Sequence, residues 1–244
     1  EGFKARDALK GRLIDGAFPR SRWAESLAQK TREAADRNAS ETAETGITLS
    51  SLEEIETDTG YGGEFVDLDI DSDKRVATLT IRAPEGSPPE THEALHALGD
   101  GHWGLKAWRE MDRALLQLRF NHQQIGLLLL KTRGSADAIN AWDTALSDLA
   151  DGGSWLAREI LLLQSRVLRR LDNMARSLFA IIDEESCFAG SFMELALAAD
   201  RSFMFMDEDG DNQVVVTQAS AGRFPMSSGL TRLATRFLGE PDKV

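Results

Sequence analysis

The sequence contains a single cysteine, Cys187, among 244 residues, so it cannot form an internal disulfide bond. Such cysteine usage is typical of a reducing compartment, and we expect a cytoplasmic protein. Long apolar runs are also lacking. The run at residues 125–130 is one of the longest, whereas a helix that spans a bilayer needs about 20 apolar residues. The sequence therefore predicts no membrane-spanning segment.

Basic residues are scarce as well. Lys and Arg number 28 against 40 Asp and Glu, which gives a net charge of -12. Residues 38–73 contain no Lys or Arg at all. Because nucleic-acid phosphates and anionic lipid headgroups repel a protein of this charge, we expect neither nucleic acid nor a membrane as a partner.

Composition changes along the chain predict two regions. Residues 1–37 combine charged side chains with helical apolar spacing, and a Ser-, Thr- and Glu-rich stretch follows. We interpret residues 1–59 as a helical extension with an acidic linker, and residues 60–244 as one larger domain. The chain begins with Glu rather than Met, which suggests an excerpt from a longer polypeptide.

Hydrophobic spacing within the larger region alternates between the two periods that mark strands and helices. The predicted strands are residues 65–70, 75–81, 125–130, 178–182, 202–206 and 214–216, of which the first two form a hairpin. The predicted helices are residues 103–120, 155–171, 190–199 and 227–238. The continuous apolar runs at 125–130 and 178–182 indicate strands covered on both faces. This alternation of strands and helices indicates the α/β class.

The most informative stretch for function joins a predicted buried strand to an apolar helix. The loop between them ends in Ala189, Gly190 and Ser191, whose small side chains let a ligand approach the backbone. The free N–H groups of the first helical turn favour negative charge, which predicts an oxyanion hole. Glu194 lies in the same turn. In the alternative interpretation Ser191 and Glu194 only form a capping box, with Ser191 as N-cap.

The residues from Ala189 to Asp200, AGSFMELALAAD, resemble the second signature of the crotonase (enoyl-CoA hydratase/isomerase) superfamily. Weaker resemblances occur at residues 75–83, 110–116, 126–136 and 222–233. The resemblance implies crotonase-like stacked ββα units behind the N-terminal helical extension. It also implies an acyl-CoA substrate, no separate cofactor because the substrate carries coenzyme A, and a homo-oligomer. By this resemblance Ser191, beside Gly190, donates to the oxyanion, and Glu194 is the catalytic acid or base.

Residues 135–143 correspond by resemblance to the loop that supplies the other oxyanion donor, but they lack the usual Ala-Gly-Ala. Alignment on Asp143 places the donor at Asn140, whereas an ungapped alignment places it at Ile139. Ala138 in the same loop is expected to contact substrate.

Two further residues bear on the chemistry. Gln218 occupies the position of the second glutamate of the hydratases, and an amide cannot act as a general base. Plain hydration is therefore disfavoured, and Gln218 would orient water or substrate. Cys187 is a candidate for the wall of the substrate pocket, although it also suits a small buried position.

These departures resemble the ring-opening lyases of the superfamily, which implies a dearomatised, oxygenated benzoyl-CoA substrate of the epoxybenzoyl type. A thioester enolate would be stabilised by the oxyanion hole while the ring is cleaved. Two alternatives stay within the superfamily. One is another acyl-CoA hydratase or isomerase, and the other is a catalytically inactive crotonase-like domain that supports a partner.

A zinc metallopeptidase is the alternative from a different class. His92, Glu93, His96 and His102 match the metzincin spacing, in which three histidines bind zinc and the glutamate acts as general base. Proline residues before this segment and Gly99 within it leave the helix barely two turns long. The leading interpretation therefore includes no metal site.

Overall fold

The computed structural model describes residues 2–38, 46–53, 55–206 and 212–243. It forms two compact units, Glu1–Gly46 and Ile47–Val244. The stretch interpreted as an acidic linker belongs partly to each unit, because its last residues include a strand of the larger unit. Residues 39–45 and 54 of that stretch lie outside the described residues.

The α-helices are α1 (Ala5–Lys10), α2 (Trp23–Asn38), α3 (His92–Leu98), α4 (Trp103–Asn121), α5 (Ala136–Asp151), α6 (Trp155–Asp172), α7 (Gly190–Ala198) and α8 (Arg232–Arg236). The strands are β1 (Ile55–Thr57), β2 (Gly60–Gly62), β3 (Val66–Asp71), β4 (Val76–Arg82), β5 (Leu127–Arg133), β6 (Ser177–Ile182) and β7 (Arg201–Met204). The smaller unit holds α1 and α2, which are the helices predicted for the N-terminal extension. The α/β class predicted from the sequence is confirmed.

The strands form one seven-stranded sheet in sequence order. Strands β1 to β4 are antiparallel, and β3 and β4 form the predicted hairpin. Its turn is closed by the Lys74 N–H, which donates to Asp71 Oδ1 at 2.9 Å. Strands β4 to β7 are parallel, and the connections between them carry the helices, as parallel neighbours require. The carboxyl ends of β5 and β6 therefore lead into the segments that build the site.

The core lies on one face of the sheet. Leu79 on β4, Leu128 and Leu130 on β5, and Ala180 on β6 are almost fully buried. Helices α4 and α7 contact strands of the sheet, and α6 packs against α4, with Trp108 of α4 among the largest fully buried side chains. The other face of β5 is half-buried, so the predicted cover of this strand on both faces is complete on one face and partial on the other.

Three local predictions are wrong. Residues 135–143, expected as a loop, form the first half of α5, because Ser135 acts as its N-cap and accepts the Ala138 N–H at 3.3 Å. The helix expected over 227–238 is limited to Arg232–Arg236. The strand expected over 214–216 is reduced to a single bridge between Val215 and Ala189.

Among the described residues, no helix has the length and apolarity needed to cross a membrane.

Candidate active site

Helix α7 begins two residues earlier than the capping-box interpretation requires. Ala189 is the N-cap and accepts no N–H through its side chain, and Gly190 is the first helical residue. The Ser191 N–H donates to Asp143 rather than to Glu194, so the capping box is wrong. The start of the helix is consequently held by other groups.

The backbone N–H of Ser191 donates to Asp143 Oδ2 of α5 at 2.5 Å. Gly190 has a φ of 49°, and a Cβ at this position would overlap with the same carboxylate oxygen and crowd Asn140 and Ile139. Only glycine combines this backbone conformation with so close an approach. The two segments expected to supply the oxyanion hole therefore do meet, but a carboxylate lies between them.

Asp143 is 8% exposed. Burial raises the pKa of its carboxyl from the ordinary value of 3.8 to about 7, and the hydrogen bond from Ser191 offsets only part of that effect. Oδ1, the other carboxyl oxygen, is buried without a partner. A carboxyl with a pKa near neutrality can both accept and release a proton at physiological pH.

A cavity of about 800 Å³ lies between α5 and the 3₁₀ helix Gln218–Ala221. Its walls are formed by Asn140, Asp143, Thr144, Ser147, Asp148, Asp151, Thr217, Gln218, Ala219, Ala221, Gly222 and Arg223. The cavity thus brings together Asn140 and Gln218, two residues predicted for the site from positions almost 80 residues apart. Asn140 Oδ1 is buried without a partner.

Charge in the cavity is mostly negative. Asp143, Asp148 and Asp151 line it together with one cation, Arg223. The Arg223 guanidinium donates to both carboxylate oxygens of Asp151, at 3.3 and 3.1 Å. This ion pair connects the end of α5 to the segment that follows Gln218 and leaves the carboxyl groups of Asp143 and Asp148 uncompensated by it.

Glu194 faces a different environment from the cavity. It is 1% exposed, and its Oε2 accepts from Arg232 Nη1 at 2.9 Å. Burial raises the pKa of Glu194, and the Arg232 guanidinium counteracts this. The Arg232 guanidinium also contacts Asp172 Oδ2 at 2.6 Å. The carboxylate predicted to be catalytic is therefore part of a buried ionic network and does not line the cavity.

Ala138, Ile139 and Cys187, which were also predicted for the site, do not line the cavity. The N–H groups of Ala138 and Ile139 donate to Ser135, at its Oγ and carbonyl oxygen respectively, and neither residue lines the cavity. Cys187 is fully buried, its N–H donates to Thr132 Oγ1 at 2.9 Å, and burial raises the pKa of its thiol to about 11. Cys187 therefore occupies a structural position.

The histidines of the metzincin-like pattern lie in separate environments. His92 lines a second cavity next to Pro88. The ring of His96 packs edge-on against Trp155, and the ring of His102 is buried against Trp142. No group of three potential metal ligands occurs among the described residues. The structure therefore gives no assembled site to the metallopeptidase alternative.

Over 240 residues the chain is 37% identical to benzoyl-CoA-dihydrodiol lyase of Aromatoleum evansii. The chain is homologous to part of that lyase. The aligned region covers 98% of this chain but 43% of the lyase, so the chain spans less than half the length of this relative. The resemblance to an acyl-CoA lyase that the sequence predicted is confirmed. No protein-family model matches the chain.

Solved structures similar to this lyase homologue include an enoyl-CoA hydratase/isomerase of Cupriavidus metallidurans CH34, with 17% identity and a TM-score of 0.38 over 63% of this chain and 46% of that one. Another is an enoyl-CoA hydratase of Geobacillus kaustophilus HTA426, with 14% identity and a TM-score of 0.37 over 63% and 48%. Likeness at this level carries no conclusion about the site.

Asp143 is a residue of this candidate site that was not predicted from the sequence, where it served only to align the supposed loop. A signal was present. Ile139, Trp142 and Leu146 form the buried stripe of α5, and Asp143 lies within that stripe at helical spacing. A carboxylate on an apolar face is unusual and marks a candidate functional group. Because residues 135–143 were interpreted as a loop, this helical periodicity was not recognised.

Proposed function

We propose that this chain provides the acyl-binding site of an acyl-CoA lyase of the crotonase superfamily, and that its substrate is an oxygenated, dearomatised benzoyl-CoA of the epoxybenzoyl type. The observation that carries the proposal is the cavity where Asn140, Asp143 and Gln218 converge beside the start of α7. The homology to benzoyl-CoA-dihydrodiol lyase supports the substrate class.

The size and charge of the cavity favour the acyl group over the nucleotide part of the substrate. About 800 Å³ is within the range of small-molecule sites. Three carboxyl groups and one guanidinium line it, and such a wall repels the phosphates of coenzyme A. The ring and thioester therefore occupy the cavity, and the phosphates lie outside it.

Neutral amides then orient the reacting groups. Asn140 and Gln218 both line the cavity, and an amide donates and accepts hydrogen bonds without titrating near neutral pH. The backbone N–H of Asn140 belongs to a helix, so its side chain takes over the donor role expected of the loop. Gln218 orients water or the oxygen substituent of the ring.

The Ser191 N–H remains the donor for the thioester oxygen. It stands at the first turn of α7, where the helix dipole favours negative charge. A donor directed at a developing enolate stabilises the transition state more than the substrate. Asp143 holds this N–H in the structure described here, so binding of the thioester requires an exchange of acceptors.

Calorimetry with benzoyl-CoA on the full-length protein tests the site. We expect the Gln218→Leu variant to bind about 3–10-fold more weakly, because one neutral hydrogen bond is lost. Gln213→Leu, an exposed residue of the same segment outside the cavity, is the matched control and should bind like the wild type. Failure of the wild-type protein to bind benzoyl-CoA would contradict the proposal.

Turnover separates the proposed lyase from its alternatives. With the 2,3-epoxide of benzoyl-CoA as substrate, we expect loss of the thioester together with release of formate. Rapid hydration of crotonyl-CoA without cleavage of the epoxide would indicate an ordinary hydratase instead. Binding of both thioesters without turnover would indicate an inactive domain. The homo-oligomer, the cytoplasmic location and the lack of a separate cofactor stay predictions.

A further inference from the structure

Asp143 is a buried acid that faces the cavity without a compensating cation. It is 8% exposed and lines the cavity, and no ion pair to it occurs within the described part of the chain. A carboxylate transferred from water to a protein interior is costly unless it is paired. Groups kept in such surroundings beside a cavity are candidates for chemistry rather than for stability.

The two oxygens of this carboxyl have different surroundings. Oδ2 accepts the Ser191 N–H at 2.5 Å. Within the described part of the chain, the buried Oδ1 has no hydrogen-bond partner. One oxygen therefore engages the expected oxyanion donor, and the other has unused capacity for a hydrogen bond from a molecule bound in the cavity.

We propose that Asp143 is the proton-transfer residue of the site, and that the Ser191 N–H passes from its carboxylate to the thioester oxygen as the proton moves. This inference rests on the proposed function and deepens it. It assigns the acid-base role to Asp143 in place of Glu194, whose carboxylate is paired with Arg232.

The Ser191 N–H changes its acceptor because the negative charge moves from the Asp143 carboxylate to the thioester oxygen. Water first opens the oxygenated ring to an aldehyde whose carbon is bonded to the α-carbon, and a second water molecule hydrates this aldehyde. Asp143 Oδ1 takes the proton of one hydroxyl of the hydrate while the bond from this carbon to the α-carbon breaks, so the carbon leaves as formic acid. The electron pair of the broken bond moves to the thioester oxygen, which becomes an enolate. A neutral carboxylic acid accepts the N–H more weakly than a carboxylate does, and the enolate accepts it more strongly. The acid then returns its proton to the α-carbon, which regenerates the carboxylate and the thioester.

Gly190 makes the exchange geometrically possible. Because it lacks a Cβ, the carboxylate of Asp143 reaches the N–H of the next residue. Its φ of 49° is also one that other residues rarely adopt. Gly190 is therefore a positioning residue, whereas Asp143 would touch the substrate.

The first test compares Asp143→Asn with the wild type in the full-length protein, using the 2,3-epoxide of benzoyl-CoA. Asparagine keeps the size and an acceptor for Ser191 but cannot take up a proton. We expect kcat to fall about 10²–10⁴-fold and Kd for benzoyl-CoA to change less than about 3-fold. The ionisation near neutral pH should disappear from the kcat/KM profile.

An exposed aspartate of the same helix serves as the matched control. Asp148, Asp151 and Arg223 are further charged side chains that line the cavity. Asp137→Asn, on the exposed first turn of the same helix and outside the cavity, should retain kcat within about 2-fold. An Asp143→Asn variant with wild-type kcat, or with an unchanged pH profile, overturns the inference.

The second test follows the Ser191 amide directly by NMR of serine-labelled full-length protein. In the wild type its proton resonance should titrate near neutral pH and shift on addition of benzoyl-CoA, and the titration should vanish in Asp143→Asn. A Ser191 amide insensitive to both pH and thioester overturns the exchange. Wild-type protein that shows the titration but neither binds nor cleaves the thioester contradicts the proposed function instead.

Discussion

Arg232 and Glu194 form an ion pair of 2.9 Å in which each side chain is 1% exposed. The pair joins α8 to the first half of α7, which also contains Ser191, the proposed oxyanion donor. The Glu194 carboxylate is thus part of an ion pair inside the fold. This pairing distinguishes Glu194, which has a structural role, from Asp143, the acid that faces the cavity.

Removal of Arg232 should strongly destabilise the protein. Arg232→Met leaves two carboxylates, Glu194 and Asp172, buried without their cation. Breaking a buried pair in this way costs about 3–5 kcal/mol, which urea unfolding would measure. Arg201→Met, an exposed arginine on β7, should change the free energy of unfolding by less than about 0.5 kcal/mol. Adding Glu194→Gln to Arg232→Met should recover part of the loss, and an unchanged midpoint in Arg232→Met would contradict the assignment.

Gly190→Ala should destabilise the protein and separate Asp143 from Ser191. A φ of 49° costs a non-glycine residue about 1–3 kcal/mol, and the new Cβ overlaps with the Asp143 carboxylate. Thermal unfolding compares this variant with Gly126→Ala, where a Cβ would meet nothing within 4 Å. Equal unfolding temperatures for the two variants would show that Gly190 is not required at this position.

Asp143 should make stability depend on pH. Its pKa is about 7 in the folded protein, against an ordinary value of 3.8. Between these values the folded state holds a proton that the unfolded state has released. The free energy of unfolding therefore falls as pH rises from about 4 to about 7, by at most about 1.4 kcal/mol per unit from this group. Urea unfolding across this range should show a shallower slope for Asp143→Asn, and parallel curves would refute the assignment.

Cys187 should be unreactive in the folded protein. Burial raises the pKa of its thiol from 9.0 to about 11, so little thiolate exists at pH 8, and the side chain is inaccessible. Iodoacetamide labelling followed by peptide mass spectrometry should detect modification of Cys187 only after denaturation. Rapid labelling of the native protein would instead place the thiol at an accessible surface.

Hydrophobic periodicity was enough to predict the main strands and helices. The hairpin of β3 and β4, the long helices α4 and α6, and helix α7 all have side chains whose burial follows the local pattern. The motif from Ala189 to Asp200 was likewise sufficient to predict the relationship to acyl-CoA lyases. These features are readable because they depend on contacts between near neighbours or on the identity of a short segment.

Only the tertiary structure decided which acid faces the cavity. Glu194 and Asp143 are both carboxylates near small residues in the sequence, and their roles differ through partners that are distant along the chain. Arg232 is 38 residues from Glu194, and Ser191 is 48 residues from Asp143. A residue's charge environment depends on such long-range packing, which periodicity does not encode. The sequence by itself thus determined the family resemblance and the elements, whereas folding assigned one carboxylate to an ion pair and the other to the cavity.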